Sequence, residues 1–194
     1  MYLRTISDEE ATGEIAELYE EARASLGFVM NGDRCWTTRA DMLPLVQHML
    51  DEARGKFSLG LRAWRLITLI AARHIPSTYC SYVYGRQLIG DLGSKEKVVA
   101  VERDFRSAGL SEKEVEMLAY AEKVVTDSAA IGEADIARLR AVGFSDLEIS
   151  DIALCAAFRC FLSNYFNAVG ADPEPFFVDE DAEFREALTV GRRV

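Results

Sequence analysis

Cys80 is the residue of this chain best equipped for covalent chemistry, and its neighbours limit what that chemistry can be. It lies in Pro76-Ser77-Thr78-Tyr79-Cys80-Ser81-Tyr82-Val83-Tyr84-Gly85, directly after an apolar stretch from Leu59 to Arg73. A Cys-x-x-Cys followed four residues later by histidine would set a dithiol and a proton carrier on one helical face. Those three places hold Ser77, Cys80 and Tyr84. One thiol can attack an electrophilic atom, but serine cannot resolve the product as a disulfide, so turnover calls for another cysteine or an external thiol.

Ser77 reads as the N-cap of a helix, which puts Cys80 in the first turn, where unpaired amides and the helix dipole stabilise an anion. Tyr79 and Tyr82 are expected to wall a substrate with aromatic surface, and His74, six residues before Cys80, is a candidate base. Cys35 is a candidate to resolve an oxidised Cys80. Cys155 and Cys160 are five apart on one helix and point away from each other, so both read as buried packing residues. His48 has no ligand spacing to any other residue, and with two histidines in the chain no metal site is expected. The sequence holds no P-loop, Gly-x-Gly-x-x-Gly or Gly-x-Ser-x-Gly, and no cofactor is expected.

The elements that must position these residues are helices. Ser7-Asp8-Glu9-Glu10, Ser111-Glu112-Lys113-Glu114 and Ser145-Asp146-Leu147-Glu148 match the capping box. Together with glycine stops at Gly27, Gly93, Gly109, Gly143 and Gly170 they predict helices over about 8–26, 112–127 and 146–169. Further helices are expected over about 40–54, 59–74, 77–90, 94–108 and 132–142, with a short one near 180–190. No segment alternates as a strand, so the class is all-α. The chain divides into a single domain over 1–175 and a tail over 176–194. Leading into that tail, the run from Asp172-Pro173-Glu174-Pro175 on to Val178 reads as extended, with Phe176 and Phe177 as anchors.

Composition fits this reading. The chain has 194 residues, 49% of them hydrophobic, and a formal charge of −10, which argues against a nucleic-acid partner. No apolar run approaches the ~20 residues of a membrane span, and the first residues carry no signal core, so a cytoplasmic protein with reduced cysteines is expected. Two helices, Leu59 to Arg73 and Ile149 to Val169, are apolar nearly all round, which predicts burial within a subunit or between subunits and hence a homo-oligomer.

Two blocks of the sequence carry a family resemblance. One is the apolar helix with Ser77 to Tyr84. The other is the order Leu110-Ser111-Glu112-Lys113-Glu114, Ala119-Tyr120-Ala121-Glu122-Lys123, Gly132-Glu133-Ala134-Asp135-Ile136 and Gly143-Phe144-Ser145-Asp146-Leu147-Glu148-Ile149. The chain resembles the alkylhydroperoxidase D-like proteins of the carboxymuconolactone decarboxylase superfamily, in the peroxidase-related branch, over roughly residues 5 to 175. The resemblance implies an alkylhydroperoxidase D-like helical bundle and a relay of glutamate, two cysteines and histidine. Carried over by position, these fall on Arg65, Ser77, Cys80 and Tyr84.

Three functions follow. The first is a one-cysteine thiol peroxidase of antioxidant type, with Cys80 attacking a hydroperoxide and an external thiol reducing it. In the second, Arg65, Ser77 and Tyr84 form a donor-rich pocket for a carboxylate or oxyanion, as in a non-redox lyase like carboxymuconolactone decarboxylase. The third is an oligomeric binding protein whose catalytic site has decayed.

Overall fold

The computed structural model describes residues 1–178 and 181–193, and among them it contains ten α-helices and no strand. They are α1 (Gly13–Leu26), α2 (Asn31–Trp36), α3 (Leu43–Gly55), α4 (Gly60–His74), α5 (Thr78–Leu92), α6 (Lys95–Asp104), α7 (Glu112–Asp127), α8 (Glu133–Ala141), α9 (Asp146–Val169) and α10 (Ala182–Leu188). The all-α expectation holds. Two capping boxes work as read: Ser111 and Ser145 accept the amides of Glu114 and Glu148, whose carboxylates accept in return at the start of α7 and α9.

The third box does not start a helix. Ser7 and Glu10 exchange both capping hydrogen bonds, at 3.1 and 3.3 Å, but close only a single turn. Gly13 follows at a φ of +56°, a left-handed backbone that interrupts the run, so α1 begins there instead of near residue 8. Helix α2, which carries Cys35, was not anticipated. The Pro-rich segment is also less extended than read, because Pro175–Phe177 forms a 3-10 turn. Phe28 meets Phe176 and Phe177 edge-on at 4.7 and 5.9 Å, which anchors the turn. The expected helix near 180–190 is α10; its expected first residue, Glu180, lies outside the described residues.

Helix α4 is the centre of the bundle and packs on α5, α7 and α9. Leu66, Ile67, Leu69 and Ile70 are fully buried, and each such side chain contributes roughly 1.5–3 kcal/mol by leaving water. Helix α9 is two-sided. Ile152, Cys155, Ala156, Arg159, Leu162, Ser163 and Phe166 recur every three or four residues on its buried face. Leu147, Leu154 and Phe161 stand exposed on the other. By length and composition α9 could cross a membrane, although no run of that length was expected, but half of its apolar window is buried inside this fold.

The C-terminal residues return to α5. The Tyr82 hydroxyl donates to the Arg185 carbonyl at 3.1 Å, and the Gly191 amide donates to the Thr78 hydroxyl at 3.0 Å. Leu188 sits so close over Gly85 that a Cβ there would lie 2.6 Å from its methyl carbon. The segment straps the outer side of the helix that carries Cys80.

Candidate functional site

Cys80 is 1% exposed and lines a cavity of about 100 Å3 between α2, α3, α5 and α9. Ser77 is the N-cap of α5, which places Cys80 in the first turn as expected. The Ser77 hydroxyl makes no capping bond; it is fully buried and without a hydrogen-bond partner. The Ser163 hydroxyl, from α9, donates to the Cys80 sulfur at 3.4 Å.

The sequence-derived residues separate into two groups. Tyr79 and Tyr84 line the cavity with Cys80. The Tyr79 hydroxyl accepts the Gly32 amide at 2.9 Å, and a Cβ on Gly32 would come within 2.6 Å of it, so glycine is required for this approach. Burial holds the Tyr79 phenol well above its usual range, so it stays protonated.

Arg65, Tyr82 and His74 lie elsewhere. Arg65 is engaged by Asp91 at 2.8 Å and Gln87 at 3.1 Å, beside an adjoining hollow that it shares with Trp64 and Tyr84. It does not line the Cys80 cavity. A carboxylate near the end of the same helix, α5, captures the guanidinium that was expected to face the thiol. Tyr82 is turned about 200° from Cys80 around α5, by two steps of the helix, and bonds to the C-terminal strap instead of walling a ligand. His74, at the end of α4, pairs with Glu122 of α7 at 2.8 Å. Glu122 also bonds to Arg106.

The other cysteines are all free thiols. Cys35 is buried with its sulfur 3.4 Å from that of Met1, and burial raises it to about 11. Cys155 is fully buried beside Arg159 and is pushed up to about 12, also by burial. Cys160 is half-buried and raised for the same reason. A second hollow of about 210 Å3, walled by Tyr2, Thr78, Tyr79, Asn167 and Arg192, lies near the chain ends and does not include Cys80.

Two residues not foreseen complete the Cys80 cavity. Asp33, on α2, is desolvated strongly enough to raise its carboxyl to about 6, against an opposing hydrogen bond from Gln47 of α3. A carboxyl titrating there can carry a proton near neutral pH. Arg159, on the buried face of α9, is 2% exposed. Its guanidinium carbon lies 4.7 Å from the Tyr84 ring centroid, 5.1 Å from that of Trp64 and 5.9 Å from that of Phe158. Its Nε and Nη2 groups have no hydrogen-bond partner, and no carboxylate among the described residues lies within ion-pair distance. Stacking on rings is worth about 2 kcal/mol or more once desolvated, whereas burying a charge costs several kcal/mol. The rings offset part of that cost but give the N–H groups no hydrogen-bond acceptor.

Asp33 was hidden because α2 is short and lacks a periodic signal. Arg159 was legible in principle: it is a cation set inside an apolar run, at a position that the three-and-four spacing assigns to the core.

No protein-family model and no curated protein matches the sequence. Solved structures do match in shape. An uncharacterised peroxidase-related protein from Ralstonia eutropha JMP134, described as an alkylhydroperoxidase AhpD core, has a TM-score of 0.84 and 24% identity, with 91% of this chain and 93% of that one covered. A peroxidase-related protein from Silicibacter sp. TM1040 has a TM-score of 0.81 and 23% identity, covering 93% and 96%. The debrominase Bmp8 has a TM-score of 0.74 and 19% identity, covering 96% and 95%, and a cysteine-to-alanine variant of it has been solved with 2,3,4-tribromopyrrole. The ten helices around the Cys80 cavity therefore form an alkylhydroperoxidase AhpD-like helical fold.

Proposed function

We propose that this protein is a one-cysteine thiol peroxidase that reduces a small organic hydroperoxide at Cys80, with a low-molecular-weight thiol as external reductant. The observation that carries this reading is the placement of a single thiol in a cavity that also holds a titrating carboxyl and a buried guanidinium. The Cys80 thiolate attacks the distal peroxide oxygen, an S–O bond forms and the O–O bond breaks. The leaving alkoxide takes a proton from Asp33, which received it from the thiol. One external thiol then converts the sulfenic acid to a mixed disulfide with loss of water. A second releases Cys80, so two external thiols end as one disulfide.

The ring-lined cavity and the likeness to Bmp8 favour a second reading, in which the same sulfur attacks halogen in place of oxygen. The carbon–halogen bond is then replaced by carbon–hydrogen, halide leaves, and again two thiols are oxidised. The lyase reading depended on Arg65 and Tyr84 acting together, and Arg65 is committed to Asp91.

Following hydroperoxide and, separately, halide release with excess thiol separates the two. Cys80→Ser is expected to abolish hydroperoxide consumption; unchanged turnover in that variant refutes the assignment. Halide release without peroxide consumption selects the second reading.

A further inference from the structure

We infer that Arg159 is the anchor for the negative group of a small organic anion bound in the Cys80 cavity, so that the substrate is an acid as well as an electrophile. The inference rests on the reading of this cavity as the reacting site. Two of the three guanidinium nitrogens of Arg159, Nε and Nη2, are buried without an acceptor. Arg54, which also lines the cavity, is engaged by Asp51 at 2.7 Å, and Arg65, in the adjoining hollow, by Asp91. Arg159, by contrast, sits on the buried face of α9 with the rings of Tyr84, Trp64 and Phe158 near its guanidinium carbon and with Nε and Nη2 meeting no oxygen. A guanidinium donates in its own plane, so what Nε and Nη2 lack is an in-plane acceptor. A carboxylate is the group that fits such a fork, by two parallel charge-assisted hydrogen bonds.

The carboxyl in the cavity does not fill that role. Asp33 stands on the α2 wall, is hydrogen-bonded by Gln47, and forms no ion pair with Arg159. The volume restricts the ligand further. A cavity of about 150 Å3 accepts benzene, so about 100 Å3 accommodates a short acid or, with slight widening, one small ring. With its anionic end on Arg159, such a ligand presents its other end to Cys80, on the facing helix.

Binding is measured by calorimetry on the full chain carrying Cys80→Ser, which removes the covalent chemistry. The probes are propionate and benzoate, each beside its neutral amide. At least one acid is expected to bind 10-fold or more tightly than its amide. Arg159→Met should erase that preference, Arg159→Lys should reduce it, and Arg65→Met should leave it intact. The inference is overturned if neither acid exceeds its amide, or if Arg159→Lys and Arg159→Met both bind acid as the parent does. Should Arg159→Met fail to fold, the lysine variant decides: unchanged affinity refutes the role. Peroxide turnover by the native chain is read in parallel. Acid binding without turnover removes the peroxidase reading and keeps the anion site; turnover with no acid preference does the reverse.

Discussion

Ser77 marks where this site departs from dithiol chemistry. Its hydroxyl is buried at the start of α5, caps nothing and has no partner, so replacing it by a thiol loses no hydrogen bond. Residues three apart at a helix start lie within the span a disulfide requires. Ser77→Cys is therefore expected to form a bond to Cys80 on mild oxidation, seen as the loss of two titratable thiols. Persistence of all five thiols would contradict the geometry. Asp33 gives a second prediction at this scale. Because it must be ionised to take the thiol proton, kcat/KM for hydroperoxide should rise as pH passes through about 6. Asp33→Asn should flatten that limb and slow turnover about 100-fold, as loss of a general acid–base group does. A preserved pH limb in the variant would exclude Asp33. The place of Cys80 in the first turn of α5, behind its N-cap Ser77, was legible because helix starts have local signatures. The partners were not, because Arg65 was assigned by position along α4, while its fate depended on Asp91, a full helix away in sequence.

At the scale of elements, boundaries set by capping chemistry were readable and those set by packing were not. Helices α7 and α9 begin at their boxes, but the same motif at Ser7 yields a turn, since Gly13 breaks the run before hydrogen bonds can propagate. Helix α6 holds the clearest local tension. Glu102 is 4% exposed, and both its carboxylate oxygens lack partners. Arg73 passes it by, donating to the main-chain carbonyls of Glu102 and Arg103 at 2.6 and 2.9 Å. Burial raises the Glu102 carboxyl from its ordinary 4.5 to about 8. The folded form thus keeps a proton that the unfolded chain releases, so stability present below pH 4.5 is lost as pH rises towards 8 and levels off above it. Melting temperature should fall across that window, and Glu102→Gln should remove most of the slope. Equal slopes in the two proteins would rule out this carboxyl as the cause.

For the molecule as a whole, the all-α class was evident from the glycine stops and the spacing of apolar residues, and α4 takes the central place its composition implied. The homo-oligomer remains a proposal. It is supported by the outward face of α9, where Leu147, Leu154 and Phe161 repeat at sevens and are exposed. Sedimentation should show an assembly that Leu154→Glu dissociates; a monomeric parent protein would end that idea.

The carboxyl-terminal strap has a practical corollary. Residues 182–191 supply the partners of Tyr82 and Thr78 and the cover over Gly85, all on the helix that bears Cys80. A purification handle fused at that end hangs from the back of the helix that lines the Cys80 cavity, and clipping the last dozen residues would expose that side of the helix to solvent. Kinetic constants measured with a tail-end tag would then report partly on the tag.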